Sequence, residues 1–451
     1  MPSRRQFMTA AAMSPAVAAV TPTSAPAAAA PEWPTGPGRR TTPQRPDREL
    51  RRVLTEIDRR RIEASVRKLV SFGTRHTLSS QTDPVRGIGA ARDWIFQELR
   101  SCPGELAVEL QSFVQPPSPR IPVATTITNV LATLRGSKDP SRIYVVSGHY
   151  DSRASDPLDA VKDAPGADDD ASGVAAVMEI ARVLATRDVD ATIIFAAVAG
   201  EEQGLYGAAH LASKLTGVQG MFTNDIVGAA PAGARDVVRL FAEGVPTSET
   251  PEQAAIRRSV GGENDSPSRQ LARFVTDLAG TGMKVEVIHR RDRYLRGGDH
   301  IPFLERGFPA ARFTEPHEDY AHQHQDVRVE NGVQYGDLPE FCDFGYMTRV
   351  ARVNAAVLWS LATAPGTPRN VRIRTNRLTN ETDLVWDVDP AAAGYEVMWR
   401  PTDAADWTHR IPLGPVGART VDLSKDNVFF GVRAIAANGR RSPVAFPVPA
   451  P

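Results

Sequence analysis

Residues 166–173 read GADDDASG, three consecutive aspartates (Asp168, Asp169, Asp170) boxed by Gly166 and Gly173 and followed, after Val174, by the helix-forming run AAVMEIARVLAT. A carboxylate before a helix accepts hydrogen bonds from free backbone N–H groups and sits at the positive end of the dipole. One would be enough for that. Three adjacent charges point to a cation. Further candidate ligands follow in order: His149 and Asp151 in GHYDS, Glu201 and Glu202 in AGEEQGLYG, Asp225 in TNDIVG, and His317, His322 and His324 in HEDYAHQHQD (317–326). Histidine and carboxylate without cysteine is the donor set of zinc or a similar divalent ion. A carboxylate with lone pairs on both oxygens can bridge two such ions about 3.5–4 Å apart, and the ions can then share a water as a nucleophile. Adjacent acids are ordinarily a solvated surface. Here Glu201 and Glu202 follow a strongly apolar stretch, which places them at a sheet edge near the core.

The elements that must position these groups alternate. EIDRRRIEASVRKLVSF and GIGAARDWIFQELRS have helical spacing, whereas LAVELQSF and TTITNVLATL read as strands. RIYVVSGHYDS (142–152) is a buried strand ending in a polar tip, and ATIIFAAVA (191–199) and DVVRLFAEG (236–244) are two more. Val174, Val177, Met178, Ala181 and Leu184 recur at helical spacing after the aspartates, and further helices are expected around 266–280 and 338–363. Strands alternating with helices imply an α/β fold, a mostly parallel central sheet sandwiched by helices. Each acid or histidine then lies at the carboxyl end of a strand or in the loop after it, the edge where open α/β sheets build their sites.

GHYDS, GADDDASG, AGEEQGLYG, a following aspartate and a late histidine resemble, in order and spacing, the di-zinc exopeptidases of the bacterial leucyl aminopeptidase and aminopeptidase Y type, over roughly residues 50–362. The resemblance implies two zinc ions bridged by Asp169 and a water or hydroxide. It implies metal ligation by His149, Asp169, Glu202, Asp225 and His322, with Glu202 and Asp225 on opposite ions. Glu201 would be the general base, and Asp151 would hold the His149 imidazole in its ligating tautomer. Asp168 and Asp170 are expected to orient backbone and helix start. The last ligand is open between His322, four residues before Asp326 as in the family, and His324. GGDHIPF (297–303) resembles a family segment beside the substrate pocket, so Asp299 and His300 are not expected as ligands. The implied activity is release of N-terminal residues from peptides. Arg290, Arg291, Arg293 and Arg296 in HRRDRYLRGG (289–298) keep a carboxypeptidase or dipeptidase reading open, since such enzymes need a cation for the free carboxylate. The full two-metal set argues against a single-zinc glutaminyl cyclase. A reading from another class is a binding or adhesion protein on a peptidase scaffold.

Lys+Arg and Asp+Glu number 53 each in 451 residues, so no charge excess argues for nucleic acid or an anionic membrane as partner. Ser3–Met8 (SRRQFM), a short alanine-rich run and Ala25-Pro26-Ala27 resemble a twin-arginine signal over 1–30, implying a protein exported to the periplasm or beyond, without an integral membrane span. Residues 31–48 are proline-rich and expected as an unstructured linker before a peptidase domain at 49–363. From about 366 the pattern changes to short alternating strands, a small all-β sandwich at 366–451 that resembles a fibronectin type III module and could serve as a spacer or attach to a cell surface or polymer. Cys102 and Cys342 are the only cysteines, and their pairing is open, as is the oligomeric state.

Overall fold

The structure, a computed structural model, describes residues 33–450; the proposed signal lies outside them. Eight strands build the main sheet: β1 Leu106–Gln115, β2 Thr125–Leu134, β3 Asp139–His149, β4 Ala191–Val198, β5 Val218–Asn224, β6 Val237–Phe241, β7 Lys284–Ile288 and β8 Ala310–Thr314. Their spatial order is β1-β2-β4-β3-β5-β8-β6-β7. The four middle strands β4, β3, β5 and β8 run parallel, as do β6 and β7, whereas β1/β2, β2/β4 and β6/β8 are antiparallel.

The helices are α1 Arg48–Glu56, α2 Arg59–Val70, α3 Ile88–Arg100, α4 Ala171–Leu184, α5 Glu201–Gly204, α6 Tyr206–Lys214, α7 Pro251–Val260, α8 Pro267–Thr276, α9 Ile301–Glu305 and α10 Phe344–Ala362. Alternation along β3 shows how the two faces are filled. Tyr144 and Val146 pack with residues of α1–α4 and α10, whereas Val145 packs with Ala208 and Leu211 of α6 and Phe303 of α9. Helix α4 is buried along its whole length and lies against β3 and β5. That approach needs glycine: a Cβ on Gly173 would meet the Asn224 carbonyl oxygen at 2.1 Å.

Residues past 366 form a four-stranded and a three-stranded sheet around Trp386, Tyr395, Trp399 and Phe430. The segment expected as a loose linker departs from that expectation. Arg39–Arg40 adds a strand to the edge of one of these sheets, antiparallel to His409–Leu413, and the Asp47 side chain caps α1. Ladder hydrogen bonds and a cap hold it where composition alone predicts freedom. Cys102 and Cys342 are both free thiols. No helix among the described residues is long and apolar enough to cross a membrane.

Candidate metal centre

Three parallel strands deliver the centre from their carboxyl ends. His149 is the last residue of β3, Glu201 and Glu202 open α5 just after β4, and Asp225 follows β5. Strand β3 lies between β4 and β5, so the loops leaving it diverge and open a crevice there. The aspartate triplet enters from the start of α4. Asp170 is the N-cap, accepting the Gly173 N–H at 3.0 Å with one oxygen and the His149 N–H at 2.9 Å with the other. Asp168 accepts the Gly228 N–H and so ties in the loop after β5. The flanking carboxylates thus hold backbone, and Asp169 alone faces the crevice. The Asp169–Asp170 peptide is cis.

Asp169 presents its two oxygens to two different imidazoles. Oδ1 lies 3.1 Å from His149 Nε2, and Oδ2 lies 2.8 Å from His324 Nε2. Each histidine has a second carboxylate: Asp225 Oδ1 at 3.8 Å from His149 Nε2, and Glu202 Oε1 at 2.9 Å from His324 Nε2. Donor atoms fall into two compact sets, His149–Glu201–Asp225 and Asp169–Glu202–His324, each within 4.8 Å. Glu202 Oε1 and His324 Nε2 are buried and make no hydrogen bond. Orphaned polar atoms facing one another in a buried cluster fit a cation between them.

His322, expected as the last ligand, is not part of this cluster. Its ring stacks on Phe341 with centroids 3.6 Å apart, and its Nδ1 faces Asp319. His324 takes the place instead, from a left-handed backbone at φ 55° that turns its ring inward. Asp151 also acts differently from expectation. The His149 Nδ1 contact is to the Asp151 main-chain oxygen at 3.1 Å, with the carboxylate 3.6 Å away. The carboxylate instead accepts the N–H groups of Glu201 and Glu202 and the Thr77 hydroxyl, so Asp151 pins the turn that carries both glutamates. Tyr150 packs in the core with its hydroxyl on the Thr128 carbonyl. Asp299 and His300 are fully buried, and the His300 Nε2 contact is to the Arg291 carbonyl oxygen.

The field at the centre calls for positive charge. Burial works against protonation of His324, but Glu202 and Asp169 outweigh it and push the imidazole up to about 10. Burial likewise opposes a charged His149, yet Glu201, Asp151, Asp169 and Asp225 raise it well above its ordinary value. Burial raises the Glu201 carboxyl well above the usual carboxylate range; His149 opposes the shift, and Asp225, Glu202 and Asp299 add to it. A carboxyl raised toward neutrality suits proton transfer.

Several supporting residues escaped the sequence reading. Asp337 accepts the N–H groups of Asp168 and Asp169, both at 2.8 Å. Gln323 donates to Asp169 Oδ2 at 2.9 Å. Arg153 bonds Glu202 through Nε at 2.9 Å and His324 Nδ1 through Nη2 at 2.5 Å. Arg312 is fully buried and pairs with Asp225 at 2.9 Å. Only Arg312 carries a sequence signal, a charged residue inside the apolar strand AARFT.

Two comparisons bear on this arrangement. Residues 129–332 match the description "Peptidase family M28". Over 421 residues the chain is 54% identical to a probable zinc metalloprotease of Leptosphaeria maculans, covering 90% of this chain and 98% of that one. The chain belongs to peptidase family M28. A second relative, a probable zinc metalloprotease of Pyrenophora tritici-repentis, is 52% identical over 437 residues, covering 92% of this chain and 90% of its own. Among solved structures, an aminopeptidase from Aneurinibacillus sp. strain AM-1 is similar with TM-score 0.48 and 16% identity, over 70% of this chain and 96% of that one. The M28 match encloses every residue of the metal centre, from His149 to His324, and stops short of Asp337.

Proposed function

We propose that the protein is a zinc-dependent exopeptidase that uses two metal ions and removes N-terminal residues from peptides. The observation that carries this reading is Asp169, whose two oxygens face two imidazoles, each with a carboxylate of its own. His149 and Asp225 would hold one ion, Glu202 and His324 the other, and Asp169 both. Bound there, the ions would polarise the scissile carbonyl and acidify a water. Glu201 accepts the proton of the attacking water and returns it to the departing amine. Asp151 keeps Glu201 in place by holding its backbone N–H. The names of the fungal relatives support zinc, and the motif order supports an exopeptidase. The Arg4-Arg5 start supports export, and the short strands of the C-terminal sandwich support a fibronectin type III-like module.

A second substrate polarity has its own support. Arg293 and Arg296 of the arginine-rich stretch line the cavity over the metal centre, suiting a free carboxylate on a dipeptide or C-terminal residue. Free-amine aminoacyl anilides, their N-acetylated copies and free dipeptides, given to the zinc-loaded protein, separate the two. Cleavage of the free-amine anilides alone supports the aminopeptidase, whereas cleavage confined to dipeptides moves the activity to the second reading. Glu201→Gln should keep both ions by metal analysis and lose turnover by about 10²- to 10⁴-fold. Ordinary turnover in that variant would overturn the role given to Glu201.

A further inference from the structure

The cavity over the metal centre, about 610 Å³, carries four guanidinium groups, those of Arg120, Arg153, Arg293 and Arg296. The carboxylates lining it are Asp169, Glu201, Glu202 and Asp225, and all four belong to the two donor sets. With cations in those sets, Asp169, Glu202 and Asp225 are committed to them and Glu201 to proton transfer; Arg153 pairs with Glu202, whereas Arg120, Arg293 and Arg296 pair with none of the four. Outside the lining, Glu318 serves Arg293 and Arg296 together, at 3.2 and 2.6 Å. Arg293 also contacts Asp292 and the Gly297 carbonyl oxygen, so each of its three side-chain nitrogens already has a partner.

Two arginines keep donors to spare. Arg120 is exposed, has no carboxylate partner among the described residues, and is steered inward by one bond from Nη1 to the Glu202 main-chain oxygen at 2.8 Å. Arg296 gives Nη1 to Glu318, and its Nε and Nη2 have no partner among the described residues. Arg153 is engaged with Glu202 through Nε and with His324 through Nη2.

We propose that this cavity selects peptides bearing a carboxylate beside the scissile bond, bound by Arg120 and Arg296. A guanidinium fork matches the two oxygens of a carboxylate, and a charge-assisted pair of this kind is stronger than a neutral hydrogen bond. The carboxylate is either the terminal group of a short peptide or an acidic side chain. The proposal rests on the exopeptidase reading only in taking peptides as the ligands.

The test is calorimetric binding to the zinc-loaded, full-length Glu201→Gln protein, using two matched pairs. Ala-Ala and its C-terminal amide differ in the terminal carboxylate; Glu-Ala-amide and Gln-Ala-amide differ in the side chain. At least a tenfold preference for the charged member is expected in one pair, and which pair shows it names the source. Arg120→Gln or Arg296→Gln added to this background should reduce that preference to within about threefold of equality. Equal affinities in both pairs, no binding of any peptide, or a preference that both arginine variants retain would each overturn the proposal. Turnover of the same peptides by the wild-type protein reports separately on the exopeptidase reading, so the two can fail independently.

Discussion

Two histidines two residues apart meet different fates in HQHQ, and their difference can be measured. His324→Ala removes a donor that faces Asp169 and Glu202, so the purified variant should hold one zinc fewer by metal analysis. His322→Ala removes a ring stacked on Phe341 and should keep the full complement. The reverse pattern would return the ligand role to His322. A loop has no periodicity from which to read inward and outward positions, which is why spacing to Asp326 pointed to a histidine that lies outside the cluster. Protonation gives a second prediction at this scale. Without metal, His149 and His324 are protonated at neutral pH, because the surrounding carboxylates overcome burial. Zinc must displace those protons, so affinity rises as pH rises, by about tenfold per pH unit for each proton released. Calorimetry at pH 7 to 8.5 in buffers of differing ionisation heat should show about one proton leaving per ion; an affinity flat over that range would contradict the assignment.

The elements that carry the ligands were the readable part of the chain. Strand β3 and helix α4 announce themselves because both are long, buried and flanked by polar tips, and their period needs no tertiary help. Strand β5, VQGMFTN, is interrupted by a glycine at its third position and ends in Thr-Asn, so only its neighbours β3 and β8 make it a strand. Helix α7 is marked by a capping box between Thr250 and Gln253, a local signal that periodicity alone overlooks. The close packing of α4 on the sheet was not legible at all, since nothing in DDDASG says what backbone lies opposite Gly173. Gly173→Ala tests that contact. The added methyl must displace the Asn224 carbonyl, next to Asp225, and overpacking of this kind costs about 1–3 kcal/mol. A lowered unfolding midpoint with weakened zinc binding is expected, and an unchanged midpoint would show that the two elements separate freely.

At the scale of the whole molecule, the C-terminal sandwich is riveted to the peptidase and is not strung behind it. Asp265, before α8, receives Arg273 from its own domain and Arg400 from the sandwich, both at 2.7 Å and nearly solvent-free. The Trp407 indole donates to Gln270 at 2.9 Å, and Arg433 reaches Asp277 at 2.9 Å. Asp265→Ala strands two buried guanidinium groups and should cost about 3–5 kcal/mol in denaturant unfolding. A loss below about 1 kcal/mol would show that the two parts do not unfold together. The short strand at Arg39–Arg40 adds a consequence for how the molecule is made. Its partners, Arg410 and His409, leave the ribosome some 370 residues later. The edge strand must therefore wait through almost the whole of synthesis, and the peptidase domain between is finished before its two ends can be joined. Nascent chains halted before residue 409 should carry an accessible amino-terminal arm, open to proteolysis until the last sheet closes over it.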